Sequence, residues 1–108
     1  MTFDAYARSL QLLRALAVLL KRLASKNADL AKQLRRCGAS ISLNIAEANQ
    51  RVGADRAHLY RVALGSAAEV TACLEVALAL EYLTHPEVAE ALELADRVRA
   101  MTYRLSKR

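Results

Sequence analysis

The sequence predicts an all-α fold in which four helices form an antiparallel up-down-up-down four-helix bundle within a single domain, residues 1–108. The composition is typical of helices, because 55% of the residues are hydrophobic, only 5% are aromatic, and there are three glycines and one proline. Apolar residues recur at steps of three and four along almost the whole chain, which is the helical period. The aperiodic breaks are short, and short connections favour helices that pack against their neighbours in sequence.

The first predicted helix ends before Ser25 and carries two adjacent apolar seams. One seam consists of Phe3, Tyr6, Leu10, Leu13, Ala17, Leu20 and Ala24. The other consists of Leu12, Leu16, Leu19 and Leu23. Together the two seams form a face that is too broad for one neighbouring helix to cover.

The second predicted helix begins after a cap at Asn27 or Asp29 and runs to about Val52, with Gly53 as the residue just beyond its end. Its apolar stripe consists of Leu30, Leu34, Cys37, Ile41, Ile45, Ala48 and Val52. A polar stripe runs beside it and consists of Arg36, Ser40, Asn44, Glu47 and Arg51. Half-buried polar groups cost free energy unless they are hydrogen-bonded, so we expect the polar stripe to have partners.

The third predicted helix extends from a cap at Asp55 to about Leu83 and is apolar on two sides. One side consists of Leu59, Val62, Ser66, Val70, Cys73, Ala77 and Leu80, and the other of Tyr60, Leu64, Ala67, Thr71, Leu74, Leu78 and Tyr82. Thr84 and Glu87 have the spacing of a capping box, and Pro86 suits the first turn of a fourth helix. The core positions of that helix are Val88, Leu92, Ala95, Val98, Met101 and Leu105.

The apolar faces exceed what one bundle can bury. On the second helix, Ala39, Leu43 and Ala46 lie nearly opposite the apolar stripe. A monomer that exposed such faces would be prone to associate, because each square ångström of apolar surface removed from water contributes about 25 cal/mol. We therefore expect a homo-oligomer.

The polar stripe supports three hypotheses. In the first, a structural network fixes helix register, with two arginines balancing two near-core glutamates, Glu47 and Glu69. The members of that network are Arg36, Ser40, Asn44, Glu47, Arg51, Ser66 and Glu69. In the second, Arg36 and Arg51 hold a small anion or a nucleic-acid phosphate. In the third, Ser40 is a nucleophile with Glu47 as its base, although the segment supplies no orienting histidine and no oxyanion donors.

The positive charge is concentrated in the first half of the chain. Residues 1–53 contain nine Lys and Arg against three Asp and Glu, whereas residues 54–108 contain seven against eight. This asymmetry indicates either a nucleic-acid or acidic partner, or simply the solvated faces of two helices. The candidate nucleic-acid contacts are Arg8, Arg14, Lys21, Arg22, Lys26, Lys32 and Arg35. Arg104, Lys107 and Arg108 are accounted for by the dipole of a helix C-terminus.

Other site classes have little support. Di-metal bundles use Glu-x-x-His pairs, which this sequence lacks, and it has no glycine-rich phosphate loop or Cys-x-x-Cys motif, so we expect no metal and no cofactor. Cys37 and Cys73 lie on apolar faces and are expected to be buried free thiols in a reducing compartment. No uncharged apolar run reaches about 18 residues and the first residues do not form a signal peptide, so we expect a cytoplasmic protein outside the membrane.

Three blocks of the sequence carry a resemblance to a known family. These blocks are Gln33-Leu34-Arg35-Arg36, then Ser40-Ile41-Ser42-Leu43-Asn44-Ile45-Ala46-Glu47, and then Gly65-Ser66-Ala67-Ala68-Glu69. Over nearly the whole chain, the sequence resembles the four helix bundle proteins encoded in intervening sequences of 23S ribosomal RNA genes. These proteins are related to the accessory variability determinants of diversity-generating retroelements.

The resemblance implies a small helical bundle, commonly a ring-like homopentamer, without established catalytic activity. It also implies nucleic acid and a reverse transcriptase as partners, since the retroelement relatives bind both. Two departures concern the second helix: Ala48-Asn49-Gln50-Arg51 replaces the usual Gly-x-Gly-Arg, and Ser42 replaces a frequent proline. Without these helix breakers, the second helix is expected to be straighter and longer.

Together these observations predict a non-enzymatic oligomeric accessory protein that contacts RNA or DNA through a basic surface. The alternative is an oligomeric scaffold for a partner protein, such as a reverse transcriptase, without a direct nucleic-acid role. Salt separates the two, because phosphate contacts weaken steeply with ionic strength and an apolar protein interface does not.

Overall fold

Four α-helices make up the fold, with no strand among residues 2–108, which the computed structural model describes together with the side chains of residues 4–108. The helices are α1 (Thr2–Ala24), α2 (Ala28–Ala48), α3 (Gly53–Ala79) and α4 (His85–Ser106). Both α1 and α3 pack against α2 and against α4. The buried apolar side chains of all four helices join in one core. The predicted all-α class and number of helices are confirmed.

The core seam of α1 is the second of the two predicted seams. Leu12, Leu16, Leu19 and Leu23 are buried, and the small residues Ala5 and Ser9 continue this seam toward the start of the helix. In the first predicted seam, Tyr6 and three leucines are half-buried, whereas Ala17 and Ala24 are exposed; the side chain of Phe3 lies outside the described residues. The first seam therefore lies at the outer edge of the core, against which Tyr6 and Leu20 pack.

The N-terminal half of α2 follows the sequence prediction. The Asn27 side chain caps the helix by accepting a hydrogen bond from the backbone N–H of Leu30 at 3.0 Å. Leu34, Cys37, Ile41, Ile45 and Ala48 of the apolar stripe are buried, and Leu30 is half-buried. Gly38 allows α1 to approach closely, because a Cβ at this position would lie 3.0 Å from Cδ1 of Leu16.

The C-terminal end of α2 differs from the prediction. The helix ends at Ala48 rather than Val52, and Val52 is 83% exposed. The next residues form tight turns, in which the N–H of Gln50 and of Arg51 donate to the carbonyls of Glu47 and Ala48. The predicted extension of the helix to about Val52 is thus wrong. The Tyr60 hydroxyl also holds this connection, by donating to Oδ1 of Asn49 at 2.7 Å.

The third helix starts earlier and ends earlier than predicted. Gly53, with a φ of 63°, is its first residue, so Gly53 does not terminate α2 and Asp55 lies in the first turn rather than at the cap. The buried residues of α3 are Tyr60, Ala63, Ala67, Val70, Cys73, Leu74 and Ala77. Of the two predicted apolar sides, the outer members Val62 and Leu80 are exposed. Only the sector between α2 and α4 is buried.

By length and composition alone, α3 could cross a membrane, with a mean hydropathy of 1.6 over its most apolar window. In the structure, its apolar sector is packed within the core between α2 and α4. This packing buries 33% of that window, and Val62 and Val76 remain exposed.

The connection between α3 and α4 is defined by two helix-terminal motifs. The N–H of Tyr82 donates to the carbonyl of Ala77 at 2.9 Å and that of Glu81 to Leu78 at 3.0 Å, which is the Schellman pattern. Glu81 has the left-handed φ of 62° that this pattern requires. The predicted capping box is confirmed, with the N–H of Thr84 donating to Oε1 of Glu87 at 2.8 Å.

Candidate functional site

The middle of the polar stripe lies where α2 meets α3. The Ser40 and Ser66 hydroxyls are hydrogen-bonded across the two helices at 2.9 Å. The Asn44 amide donates to the Ser40 carbonyl at 2.8 Å and to the Ser40 hydroxyl at 3.0 Å. All three side chains are half-buried. A hydrogen-bonded group thus links α2 to α3 at this position.

The remaining members of the predicted network lie at the surface and do not connect to this group. Glu47 and Arg51 form an i,i+4 ion pair at 2.9 Å, with side chains 50% and 47% exposed. Glu69 is exposed and accepts a hydrogen bond from Gln33 at 3.2 Å. Arg36 is exposed and forms no ion pair or side-chain hydrogen bond within residues 4–108. The expectation that Glu47 and Glu69 lie near the core was wrong, because their long side chains reach from the helix flank into solvent.

The other two hypotheses for the stripe depend on groups that already have partners. The Arg51 guanidinium is bound by Glu47 and lies 3.6 Å from Oδ2 of Asp55, so two carboxylates neutralise one half of the supposed anion site. The Ser40 hydroxyl is paired with Ser66 and Asn44, and the Glu47 carboxylate with Arg51. Within residues 4–108, no group of three or more His, Cys, Asp and Glu could hold a metal ion.

The two cysteines are buried between α2 and α3. Both are free thiols with 3% exposure. Burial, together with the neighbouring Cys73 and Glu69, raises the pKa of Cys37 to about 12. Burial also raises the pKa of Cys73. Both thiols are therefore protonated at neutral pH, and a protonated buried thiol is a poor nucleophile and a poor metal ligand.

The seven predicted nucleic-acid contacts are distributed over three segments of the chain. Arg14, Lys21, Lys26, Lys32 and Arg35 are exposed but are spread over α1, the α1–α2 connection and α2. Arg22, another of these candidates, forms an ion pair with Glu87 of α4. Arg8 is half-buried and donates to Oε1 of Gln11 at 3.0 Å.

A cluster of arginines between α1 and α4 was missed by the sequence analysis. Arg8 of α1 and Arg97, Ala100, Met101 and Arg104 of α4 line one opening of about 250 Å³. Beside it, Met101 and Arg104 also border a cavity of about 60 Å³ together with Leu105 and Arg108. We call the surface formed by Arg8, Arg97, Arg104 and Arg108 around Met101 the arginine groove.

One signal for this cluster was present in the sequence. The steps of seven and four residues from Arg97 to Arg104 and Arg108 keep these side chains within about 40° on one helix face. The contribution of Arg8 depends on how α1 packs against α4, and the sequence pattern does not specify that. Arg104 and Arg108 were instead assigned to the helix dipole.

The chain is thus a small helical protein with an aliphatic core, and its surface is rich in arginine and carries a net positive charge. The chain belongs to the 23S rRNA-intervening sequence protein family, whose model matches residues 1–104. This membership confirms the family resemblance inferred from the three sequence blocks.

A solved structure supports the same assignment. The chain is similar to a protein of unknown function from the S23 ribosomal protein family of Bacteroides thetaiotaomicron, with a TM-score of 0.88 and 26% sequence identity. The alignment covers 96% of this chain and 99% of the other. Comparison with curated proteins gives no match.

Proposed function

We propose that this chain is a non-enzymatic accessory protein of the cytoplasm that assembles as a homo-oligomer and contacts nucleic acid through its basic surface. The observation that carries the proposal is the number of unpaired cations. Within residues 4–108, only Arg22, Arg51 and Arg99 of the sixteen Lys and Arg form ion pairs with carboxylates. Most of the other cations are exposed and can contact phosphates, and each such contact releases counterions from the nucleic acid.

We infer an antiparallel up-down-up-down arrangement of the four helices. The connections between consecutive helices are only three to five residues long, which suits antiparallel neighbours. The contacts between α1 and α4 support this arrangement. Arg22, near the end of α1, pairs with Glu87 at the start of α4, whereas Arg8 shares a groove with the later residues Arg97 and Arg104.

We also propose that copies of the chain associate, with a pentameric ring as the expected state. Large apolar side chains remain exposed on several helices, including Val18 at 73%, Leu43 at 68% and Val76 at 44%. A second apolar surface is the groove of about 560 Å³ between α3 and α4, which Leu64, Gly65, Ala68 and Tyr103 help to line. A second copy would remove this apolar area from water, which favours association.

A fluorescence titration tests the nucleic-acid role. Mixed-sequence RNA and DNA would be titrated with the protein at about 50 and 200 mM salt, a range over which several phosphate contacts change affinity by orders of magnitude. Binding at low salt with a steep loss at high salt supports the proposal. Absence of binding at both salt concentrations contradicts it.

The alternative function is a scaffold for a partner protein, such as a reverse transcriptase. The α3–α4 groove favours it, because apolar and small side chains around an exposed tyrosine suit a protein surface better than a phosphate backbone. A complex formed mainly through this groove would keep its affinity as salt rises, so the same salt series separates the two functions.

A further inference from the structure

We propose that the arginine groove between α1 and α4 is the place where this protein holds the phosphodiester backbone of a nucleic acid. This inference rests on the proposed function and specifies its site. The inference places the phosphate contacts on residues that mostly lie outside the basic N-terminal half, and not on the exposed cations of α2.

The arginine groove brings cations from distant parts of the chain together. Arg8 lies in α1, and Arg97 and Arg104 lie in α4 on the other side of the same opening. Arg108 extends the row past the end of α4 and shares the adjoining cavity with Arg104. Within α4, seven residues separate Arg97 from Arg104, which corresponds to about 10 Å along the helix.

The guanidinium groups in the arginine groove are not neutralised by the protein. Within residues 4–108, none of the four arginines forms an ion pair. Acidic residues one helical turn away, Asp4 before Arg8 and Glu93 before Arg97, are exposed and form none either. Arg8 uses one nitrogen to donate to Gln11, and a guanidinium has five N–H donors, so it retains others for a ligand.

A separate opening on the α1–α4 surface carries balanced charge. Gln11, Arg14, Val18, Glu87 and Glu90 are among the residues that line this opening of about 350 Å³. There Glu87 pairs with Arg22. Arg14 and Arg22 balance Glu87 and Glu90 there. An anionic chain is therefore attracted more strongly to the arginine groove, whose arginines form no ion pair.

The shape of the cluster favours a chain of phosphates over a single anion. The arginines line two adjoining openings rather than converging on one point, which suits successive phosphates of a chain better than one anion. Met101 and Ala100 provide apolar surface between the cations. Phosphate contacts carry no sequence information, so binding is expected to be nonselective.

The helix dipole accounts for only part of this cluster. Cations near a helix C-terminus are favourable, which covers Arg104 and Arg108. The dipole effect falls off within the last turn, and Arg97 lies nine residues before Ser106, the last residue of α4. Arg8 belongs to another helix. A ligand explains the whole cluster, whereas the dipole explains two of its four members.

The test compares two charge-matched double variants in the full chain. R97Q/R104Q removes two cations from the arginine groove, and K32Q/R35Q removes two exposed cations from α2. Affinity for a labelled 20-nucleotide RNA and for DNA of the same sequence would be measured over a salt series. Thermal unfolding and light scattering would check that both variants keep the fold and mass of the wild type.

We expect R97Q/R104Q to weaken binding at low salt by about tenfold or more and to reduce the slope of log affinity against log salt by about two, roughly one per phosphate contact. The slope should stay near the wild-type value in K32Q/R35Q. Arg108→Gln, at the last residue, leaves the helix core untouched and should lower the slope by about one. This third variant keeps the test valid if the double variant unfolds.

Several outcomes would overturn the inference. Equal losses in both double variants would mean a diffuse surface, and a larger loss in K32Q/R35Q would place the contact on α2. Competition by inorganic phosphate at the concentration of RNA phosphates would indicate a small-anion site. In these cases the wild type still binds nucleic acid, so the proposed function stands while the proposed site does not. If the wild type binds neither RNA nor DNA, the proposed function fails and the inference fails with it.

Discussion

The polar residues between α2 and α3 form two sets, a half-buried hydrogen-bonded group and an exposed ion pair. Ser40, Asn44 and Ser66 satisfy one another, whereas the Glu47–Arg51 pair is half-exposed. We expect Ser66→Ala to lower the free energy of unfolding by about 1 kcal/mol, because it removes a partner from the half-buried Ser40 hydroxyl. Glu47→Ala should cost no more than about 0.5 kcal/mol, as is usual for an exposed i,i+4 pair.

Urea unfolding of the two variants measures this difference. A loss above 2 kcal/mol for Glu47→Ala would restore the original hypothesis of a buried charge network, and a neutral Ser66→Ala would remove the structural role of the serine pair.

The buried cysteines predict a dependence of stability on alkaline pH. The pKa of Cys37 rises from 9.0 in the unfolded chain to about 12 in the fold. Between these values the unfolded chain loses the thiol proton while the folded protein retains it, so ionisation favours unfolding. Stability from this group is complete below pH 9 and declines as the pH rises from 9 toward 12.

Denaturant unfolding at pH 7, 9 and 10.5 checks this expectation. The matched control is C37A/C73A, which lacks the two thiols and keeps every other titratable group. It should therefore lose less stability than the wild type across the same pH range. Identical pH profiles for the control and the wild type would contradict the role assigned to the thiols.

At the scale of elements, the α3–α4 connection contains a strained residue. Glu81 occupies the left-handed position of a Schellman motif, which glycine adopts without steric cost. Glu81→Gly should therefore raise the free energy of unfolding by roughly 0.5–1 kcal/mol, since relief of the strain exceeds the added flexibility of the unfolded chain.

Gly53→Ala makes the opposite change, because it places a side chain where a glycine already has a φ of 63° at the start of α3. This change should destabilise the protein by about 1 kcal/mol. Thermal melts of both variants suffice, and a destabilised Glu81→Gly would show that the glutamate side chain contributes more than its backbone strain costs.

The sequence predicts the interiors of the helices, but it predicts a helix boundary only where a side chain forms the cap. Asn27 and Thr84 cap through their own oxygen atoms, so their residue types predict the starts of α2 and α4. The end of α2 depends instead on backbone turns after Ala48 and on the hydroxyl of Tyr60, eleven residues after Asn49. That contact is tertiary, and no local pattern specifies it.

At the scale of the whole molecule, the site was harder to predict than the fold. The apolar stripe of α2 is buried from Leu34 to Ala48, where it follows the 3.6-residue period, and a period can be counted along the chain. The arginine groove requires residues 8 and 97 to be neighbours, which depends on the packing of α1 against α4. Candidate cations could therefore be identified from their density along the chain, but the arginine groove, which only the fold assembles, could not.

The exposed apolar side chains predict the effect of a surface charge on assembly. Leu43→Asp places a carboxylate at an outward position on α2, where it should leave the core intact. If this face is covered by another copy, the burial of an unpaired charge disfavours association, and the mass in solution should fall. Lys32→Asp, at another exposed position of α2, is the control. Unchanged mass in Leu43→Asp would exclude this face from the assembly.

The most direct test of the account is a light-scattering mass measurement on the wild-type protein with a mixed-sequence RNA at low salt, repeated after the salt is raised. The account predicts an oligomer whose mass at low salt includes the RNA and which releases the RNA, without dissociating, at high salt. A monomer, or an oligomer that carries no RNA at low salt, would contradict the central claim that an assembled cationic surface binds nucleic acid.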